Sequence, residues 1–288
     1  MDLTLPLYFM QEREAIRLRR AAGEPRPWTS DPILATYRFT NVRREDDRVT
    51  AWIREHIREP YDDHPNLWIM LCLARFVNWP PTLQYLMDQG AWPTKTYDAT
   101  AVTAALDELT ARAVKVWTGA YMIKGDFLHR TAEERRKPFY VATTVLGETW
   151  KQRHAIKAAL PQGLEATYRA LTAVYGWGPF LTYQAIVDMR WTSLLMHASD
   201  LEWAAAGPGT LRGLNRVAGR PAPRHLAQEQ ALAELREIYP VLRKAMPTID
   251  FSDVLNIMCE TDKYARAKAG EGRPRSLYRS EEWPEYKL

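Results

Sequence analysis

Three charged residues lie within one helical turn in the sequence CETDKY, directly after an apolar segment. Glu260 and Lys263 are three residues apart and therefore share a helix face, whereas Asp262 points elsewhere unless the helix ends there. A carboxylate beside a lysine can exchange a proton with a substrate, and the lysine can bind an anionic group. The apolar run Val254 to Met258 precedes them, and desolvation by such neighbours raises the basicity of a carboxylate. The alternative is an ordinary salt bridge at the end of a helix.

The sequence YRFTNVRREDDR places several arginines beside aromatic and acidic residues. Arg38, Arg43 and Arg44 could form a phosphate clamp, because a planar guanidinium group matches two phosphate oxygens at once. Asn41 could orient the edge of a base, and Asp46 could hold the arginines in place. A surface ion-pair network that caps a helix is the alternative, and the residues alone leave both interpretations open.

The stretch LTAVYGWGPFLTYQAIVDM predicts a helix, a tight turn at Gly176-Trp177-Gly178 and a second helix that begins at Pro179. Backbone N–H groups at such a turn and helix start can hold a phosphate, so Gly176 and Gly178 are candidate contacts to a DNA backbone. The pattern is that of a helix-hairpin-helix. A Gly-x-Gly-Pro turn also joins helices in proteins that do not bind nucleic acid. The second helix carries one apolar face formed by Leu181, Ala185 and Ile186.

Asp188 lies on that second helix, one turn before Arg190 and Trp191. It could be an inward-facing catalytic or metal-holding acid. It could equally form an ion pair with Arg190 or Arg212, and this structural interpretation is preferred.

Aromatic residues accompany these charged groups and could line a pocket for a base turned out of the duplex. The alternative is that these aromatic residues belong to the hydrophobic core. The candidates are Tyr37, Phe39, Trp177, Tyr183 and Trp191.

The 288 residues suffice for one large domain or two small ones, and a hydrophobic content of 46% is enough to bury a core. The net charge is only +4, but basic residues are concentrated in a few stretches. Such clusters indicate a polyanionic partner, with solvated helix faces as the alternative. The stretches are Arg13 to Arg20, Arg43 to Arg48, Arg130 to Lys137 and Lys263 to Arg279.

The sequence lacks the signatures of several classes of function. The chain has no GxxxxGK[ST] phosphate loop, which excludes a nucleotide kinase of that class, and no GxGxxG pattern after a strand. No CxxC pair occurs and the six histidines lack ligand spacing, so a zinc site is not expected. No cofactor is predicted, although a divalent cation at the hairpin stays open. Cys72 and Cys259 lie in apolar segments, and no signal peptide or membrane-spanning run is present, which predicts a cytoplasmic protein.

Helical periodicity dominates the chain and strand-like alternation is scarce, which predicts an all-α protein. We expect one helical domain over residues 1–264 and a basic tail over 265–288. An alternative is that the domain consists of two helical lobes with a cleft between them. The predicted helices include Met1 to Glu24, Asp47 to Ile57, Leu67 to Val77, Thr82 to Asp88, Ala101 to Trp117, Tyr140 to Ile156, Leu164 to Tyr175, Leu226 to Met246 and Ser252 to Tyr264.

Leu171 to Val217 resembles the core of helix-hairpin-helix DNA glycosylases, which implies a glycosylase-like helical fold. TLRGLNRV matches the arginine-containing helix of that family, so Arg212 is a candidate contact to the DNA backbone. The catalytic aspartate of the family should stand five residues before Arg212, where this chain has Gly207. Bifunctional members carry a lysine just after the hairpin, where this chain has Phe180. Base excision by the usual mechanism is therefore not expected.

Four motifs in order, YRFTNVRREDDRVTAW, GWGPFLTYQAIVDMRW, AGPGTLRGLNR and CETDKY, are similar to a phage family. It comprises 5-hydroxymethyluracil DNA kinase helical domains and α-glutamyl/putrescinyl-thymine pyrophosphorylases. The resemblance implies that a separate kinase activates 5-hydroxymethyluracil in double-stranded DNA as a phosphate or pyrophosphate ester. The helical protein would then replace that group with an amino acid or polyamine in the infected bacterial cell. The missing phosphate loop favours this second role.

Three hypotheses follow. The first is an amino acid:DNA transferase, in which Glu260, Asp262, Lys263 and Asp188 are the catalytic candidates. The second is a non-catalytic subunit that binds DNA for a kinase. The third is a glycosylase whose catalytic residues lie elsewhere in the chain.

Overall fold

The computed structural model describes residues 1–119, 121, 123, 131–272, 274, 276–278 and 284. These residues confirm the all-α prediction, because they form helices joined by short turns and one isolated β-bridge between Tyr37 and Leu277. In chain order the helices are α1 (Thr4–Ala21), α2 (Pro32–Thr36), α3 (Arg48–Ile53), α4 (Leu67–Val77), α5 (Pro80–Asp88), α6 (Ala99–Ala111), α7 (Lys137–Phe139), α8 (Gly147–Lys151), α9 (Arg153–Ala159), α10 (Leu164–Thr172), α11 (Pro179–Arg190), α12 (Pro208–Val217), α13 (Gln228–Ala245) and α14 (Phe251–Lys268).

Contacts divide the chain into two compact units. The first unit combines Met1–Thr50 with Trp203–Glu281, two stretches that are far apart in the sequence, and the second consists chiefly of Ala51–Glu202. The first unit therefore holds α1, α2 and α12 to α14, and the second holds α4 to α11.

Helix α14 is the centre of the first unit, with α1, α12 and α13 packed against it. Asp250 begins the helix with a capping box, in which its side chain and that of Asp253 bind each other's backbone N–H groups. An aromatic and aliphatic cluster fills the space between α1, α2 and α14. Its buried members are Phe9, Ile16, Leu34, Phe39 and Tyr264.

Two glycines allow α12 to lie directly against α14. A Cβ atom at Gly209 would stand 2.3 Å from Cys259 Sγ, and one at Gly213 would stand 2.2 Å from the carbonyl oxygen of Met258. Both distances are far below a van der Waals contact, so the close approach of the two backbones requires glycine at these positions. The motif AGPGTLRGLNR thus has a packing function that its resemblance to a DNA-binding helix did not predict.

Helix α4 is the buried helix of the second unit. It spans the residues predicted from the sequence, and all eleven are buried, as expected for a helix that is apolar on every side. Its one arginine, Arg75, is neutralised by Asp188 of α11, and Arg75 Nη2 donates to Asp188 Oδ1 at 2.7 Å. The same guanidinium donates to Asn78 Oδ1 at 3.1 Å.

The hairpin connects α10 to α11, and its two glycines differ. Gly176 has φ +89°, and a Cβ atom there would lie 2.3 Å from Val145 Cγ2, so both backbone conformation and space demand glycine. Gly178 has φ −91° as the residue before α11, and a Cβ atom there would meet nothing within 4 Å. The prediction that both glycines are needed for the turn is therefore correct only for Gly176. Leu181, Ala185 and Ile186 are buried as predicted.

Some helix ends differ from the predicted ones. Helix α6 ends at Ala111 instead of Trp117, because Ala113 adopts φ +55° and stops the helix. Helix α14 continues four residues beyond Tyr264, so the segment predicted as a tail begins within a helix. Ser276 and Tyr278 pair with the backbone of Arg38 and Thr36, while Arg130 and most of residues 279–288 lie outside the described residues. Among the described helices, none has the length and apolar character needed to cross a membrane.

Candidate functional site

A polar stripe on α14 holds the segment of residues 38–44 in place. The stripe residues are separated by three, four and three positions, so they share one face of the helix. They are Asp253, Asn256, Glu260 and Lys263. They contact the segment in antiparallel order, from Arg44 back to Arg38. This stripe is readable in the sequence as polar residues at helical spacing, but only its last two residues were singled out from the sequence.

Every residue of the stripe makes at least one contact to the backbone of the segment. Asp253 accepts the N–H of Arg44 at 2.8 Å, and Asn256 donates to the carbonyl of Asn41 at 3.1 Å. Glu260 Oε2 accepts the N–H of Thr40 at 2.9 Å. These bonds fix the course of the segment's backbone along α14.

Glu260 and Lys263 form the ion pair that their spacing predicts. Lys263 Nζ lies 2.6 Å from Glu260 Oε2, donates to the carbonyl of Arg38 at 3.2 Å and stands 4.5 Å from the centre of the Phe39 ring. Glu260 is only 6% exposed. Within the described residues its Oε1 atom accepts no hydrogen bond, so one oxygen of a desolvated carboxylate stays available.

Asp262 lies on another side of α14, as the sequence indicated for a helix that continues beyond it. It is fully buried and accepts from Arg212 Nε at 2.8 Å and Arg216 Nε at 2.9 Å, with Arg266 Nε at 3.3 Å. This arginine cluster joins α12 to α14. Asp262 therefore contacts a different set of residues from Glu260, and Arg212, a candidate for the DNA backbone, is one of its partners.

Arg13 of α1 is a member of the site that sequence reasoning missed. It is 6% exposed, its Nη2 donates to Asn41 Oδ1 at 2.5 Å, and both Nε and Nη2 lie 3.4 Å from the carbonyl of Phe39. Its Nη1 is buried with no partner among the described residues. Burial lowers the pKa of this guanidinium, and the charges of Asp47 and Glu260 oppose that shift. The four-residue spacing of Arg13 and Arg17 on α1 was the available signal.

Asn41 does not present a free amide to a base. Its Oδ1 is occupied by Arg13, and its Nδ2 donates to the carbonyl of Asp46 at 2.6 Å. Both ends of the amide thus organise the segment, which corrects the sequence-based expectation that Asn41 orients a base edge. Asp46 lies 3.8 Å from Arg43 Nη1 and 3.3 Å from Arg17 Nε, and so holds arginines as expected.

The predicted phosphate-binding arginines belong to one segment and differ in exposure. Arg38 is exposed, whereas Arg43 and Arg44 are half-buried. Burial raises the pKa of the Asp47 carboxyl, and the charges of Arg44, Arg13 and Arg38 reduce that increase. The charges of Arg38 and Arg44 thus act on the same neighbouring carboxyl group.

Asp253 connects this segment to the start of α14. Burial, reinforced by the charge of Asp250, raises the pKa of Asp253 to about 7. The backbone N–H groups of Asp250 and Arg44 act in the opposite direction. A carboxyl group that binds two elements thus changes charge near neutral pH.

Most of the candidate aromatic residues are core residues. Trp177 is buried, donates its Nε1–H to Thr149 Oγ1 at 2.8 Å and packs against Phe76. Tyr37 is half-buried against the Phe9 cluster. Trp177 is therefore a core residue, and a role of Tyr37 at a base pocket stays a prediction. Phe39 and Tyr183 are also buried, and Trp191 is 45% exposed.

Asp188 is a structural residue of the second unit. Arg75 binds both of its oxygens, and the side chain is fully buried. The preferred interpretation as an ion pair is therefore correct in kind, but the partner is neither Arg190 nor Arg212. Arg190 instead lies 3.4 Å from Asp200.

The hairpin belongs to the second unit, whereas the stripe of α14 and the arginine segment belong to the first. Two exposed aromatic residues, Tyr175 and Phe180, flank Gly176 and Gly178 in the sequence. Within the described part of the chain, no group of three or more histidine, cysteine, aspartate or glutamate side chains could hold a metal ion.

An open cleft of about 740 Å³ lies in the first unit, beside α1 and α2 and away from Glu260. Asp31 in its wall accepts the hydroxyl groups of Tyr8 at 2.8 Å and Tyr264 at 2.5 Å, and two backbone N–H groups of α2. Burial and the hydrogen bond to Asp31 raise the pKa of Tyr8 to about 12. Because the carboxylate is saturated by these internal bonds, we regard the cleft as structural.

Comparisons with known proteins match this chain to one family. The family model described as "5-hmdU DNA kinase, helical domain" matches residues 3–273. A protein of Bacillus phage SP10 named 5-hmdU DNA kinase is 51% identical to this chain over 231 residues. The match covers 73% of this chain and 36% of the relative, so the chain spans little more than a third of that relative's length. No solved structure matches the chain.

Proposed function

This chain belongs to the 5-hmdU DNA kinase helical domain family, and from that premise we propose that it is a transferase of phage thymine hypermodification. The proposed substrate is double-stranded DNA in which 5-hydroxymethyluracil carries a phosphate or pyrophosphate. The proposed reaction replaces that group with an amino acid or a polyamine.

In the proposed step, the lone pair of the donor amine forms a C–N bond to the methylene carbon on the base. The C–O bond to the phosphate or pyrophosphate breaks, and the leaving group departs with that electron pair. Glu260 Oε1 accepts the proton from the amine. Arg38, Arg43 and Arg44 stabilise the negative charge that develops on the leaving group.

The observation that supports this proposal is the joining of the arginine segment to Glu260 on α14. A buried carboxylate of α14, with one oxygen that accepts no hydrogen bond among the described residues, lies beside a segment that carries three arginines and is hydrogen-bonded to the same helix. Lys263 pairs with Glu260 and binds the carbonyl of Arg38. We expect Asp188 and Asn41 to act only through structure.

The test is mass spectrometry of nucleosides from duplex DNA that contains 5-hydroxymethyluracil. The duplex is incubated with a matching DNA kinase, ATP, this protein and a mixture of amino acids and polyamines. The expected product is a nucleoside that has gained the donor and lost the phosphate. Persistence of the phosphorylated base alone would contradict the transferase, and abasic sites formed without a donor would indicate a glycosylase.

Glu260→Gln is expected to abolish the product, because the amide cannot accept the proton, while binding to the duplex persists. Glu234→Gln is the matched control, because Glu234 is also in the first unit and pairs with Arg220 at 2.6 Å. The control is expected to retain product formation. Equal loss in both variants would mean that the effect comes from stability, and full activity of Glu260→Gln would exclude Glu260 as the base.

A second candidate function is a DNA-binding domain that presents modified DNA to a kinase. It is favoured by the limited share, 36%, of the kinase-named relative that this chain matches. In that case the added kinase would phosphorylate the duplex faster in the presence of this protein, and no donor would be incorporated. Glu260→Gln would then have no effect on the rate.

A further inference from the structure

A cluster of arginine and aromatic side chains lies in the first unit, outside the site described above. Arg26 is exposed, and its guanidinium carbon lies 4.7 Å from the centre of the Trp28 ring and 5.0 Å from that of the Tyr278 ring. Arg20, also exposed, donates from Nη1 to the hydroxyl of Tyr278 at 3.1 Å. Arg20 and Arg26 of the N-terminal part of the sequence thus both contact Tyr278, which is more than 250 residues away in the sequence.

The position of Tyr278 is set by backbone pairing. Its N–H donates to the carbonyl of Thr36 at 3.0 Å, and the N–H of Arg38 donates to the carbonyl of Ser276 at 2.8 Å. Trp28 is fixed on the other side, because its carbonyl accepts from Arg19 Nη1 at 2.5 Å and its Nε1–H donates to the carbonyl of Glu24 at 2.6 Å. The two rings meet edge to face with centres 5.7 Å apart. The arginines are therefore supported by a fixed aromatic frame, and the pairing places this frame beside the segment that begins at Arg38.

Neither Arg20 nor Arg26 has an acidic partner within the described part of the chain. Arg19, their neighbour, differs in this respect, because its Nη1 lies 3.8 Å from Glu12 Oε1. An arginine beside an aromatic ring keeps its N–H groups available at the edge of its plane, and the ring restricts its conformations. Such a pre-ordered guanidinium group matches the oxygens of a phosphate.

We propose that Arg20 and Arg26 bind the phosphodiester backbone of duplex DNA, as a contact surface in the first unit. The faces of Trp28 and Tyr278 are turned to the arginines, so these rings support the cations and do not stack on bases. Contacts of this type fix the register of a protein on DNA without reading sequence. The inference rests on the proposed function only in that the chain acts on DNA.

The test measures binding of this protein to a duplex of arbitrary sequence by fluorescence anisotropy over a range of salt concentrations. The double variant Arg20→Gln and Arg26→Gln is expected to reduce the slope of log K against log salt by about 0.9 for each lost phosphate contact, or about 1.8 in total. At about 0.15 M salt this corresponds to a loss of affinity of roughly 30-fold. Arg20→Lys with Arg26→Lys keeps both charges and is expected to keep most of the slope.

Arg243→Gln is the matched control, because Arg243 is an exposed arginine of the first unit whose guanidinium carbon lies 5.6 Å from the ring centre of Tyr239. It is expected to leave the slope unchanged. An equal effect of Arg243→Gln, or an unchanged slope in a folded double glutamine variant, would overturn the inference. The nucleoside assay separates the two proposals. Product formation with an unchanged slope would overturn only the contact surface, and a reduced slope without product would overturn only the transferase.

Discussion

At the scale of single residues, the polar stripe of α14 explains why the arginine segment has a defined shape. Glu260 and Asp253 each accept a backbone N–H from the segment, and Asn256 binds between them. A buried carboxylate is stable only when such partners replace its lost hydration. The same residues therefore serve the fold and position the groups that we propose for chemistry.

The buried carboxyl of Asp253 predicts a pH-dependent stability. Its pKa is raised from 3.8 to about 7 in the folded chain, so the folded state binds more protons than the unfolded state between these values. The free energy of unfolding should therefore fall as the pH rises from about 4 to about 7. The amide that replaces the carboxyl group in the variant Asp253→Asn cannot titrate, so the variant should lose this pH-dependent part of the free energy of unfolding. Urea unfolding of both proteins at about pH 5 and about pH 7.5 would measure the difference. An identical pH dependence in both proteins would contradict the assignment.

At the scale of elements, α12 and α14 pack closely because Gly209 and Gly213 place no side chains between them. The arginines of α12 can then reach the buried Asp262 of α14. The hairpin of the second unit also contains a glycine that leaves no room for a side chain. It is Gly176, where the side chains of Val145 and Tyr140 approach the backbone. Close backbone approach is thus the reason for several glycines whose sequence context alone suggested binding.

Gly213→Ala is expected to destabilise the protein. The added methyl group would lie 2.2 Å from the Met258 carbonyl oxygen, and a backbone atom cannot move aside without separating the helices. The cost of such overpacking is about 1–3 kcal/mol or more, which exceeds the gain in helix propensity of about 1 kcal/mol.

Gly147→Ala is the control for that variant, since it is the same substitution at a helical glycine with room for a methyl group, 3.6 Å from its nearest neighbour. It should leave stability unchanged or increase it by up to about 1 kcal/mol. Thermal and urea unfolding would measure the stability of both variants. Equal stability of the two would contradict the packing function of Gly213.

At the scale of the whole molecule, the chain forms two compact units, and the first combines Met1–Thr50 with Trp203–Glu281. Each unit has its own aromatic core, around Phe9 in the first and around Phe76 and Trp177 in the second. Separate cores favour separate cooperative units of unfolding.

Phe9→Ala is expected to remove about 3–5 kcal/mol from the stability of the first unit, because it deletes a buried ring beside Phe39 and Tyr264. Hydrogen exchange should then show loss of protection in α14 with little change in α4. Phe76→Ala, the matched change in the second unit, should give the reverse pattern. Equal loss of protection in both helices would show that the units unfold together.

The local features of this protein could be predicted from the sequence because they depend on spacing along one helix. The bounds of α4, the start of α11 at Pro179 and the pairing of Glu260 with Lys263 all follow from periodicity and helix-start chemistry. The family was also recognisable from four ordered motifs, and its helical domain matches residues 3–273.

Only the tertiary structure decided which distant residues meet. Asp188 pairs with Arg75 at a separation of 113 residues, and Thr40 binds Glu260 at a separation of 220. Arg13 lies in the site and donates a hydrogen bond to Asn41 because α1 packs on α14. Periodicity reports which face of a helix is buried but not against which other helix. The partner of a buried charge is chosen by that packing, and therefore lies beyond what one sequence determines.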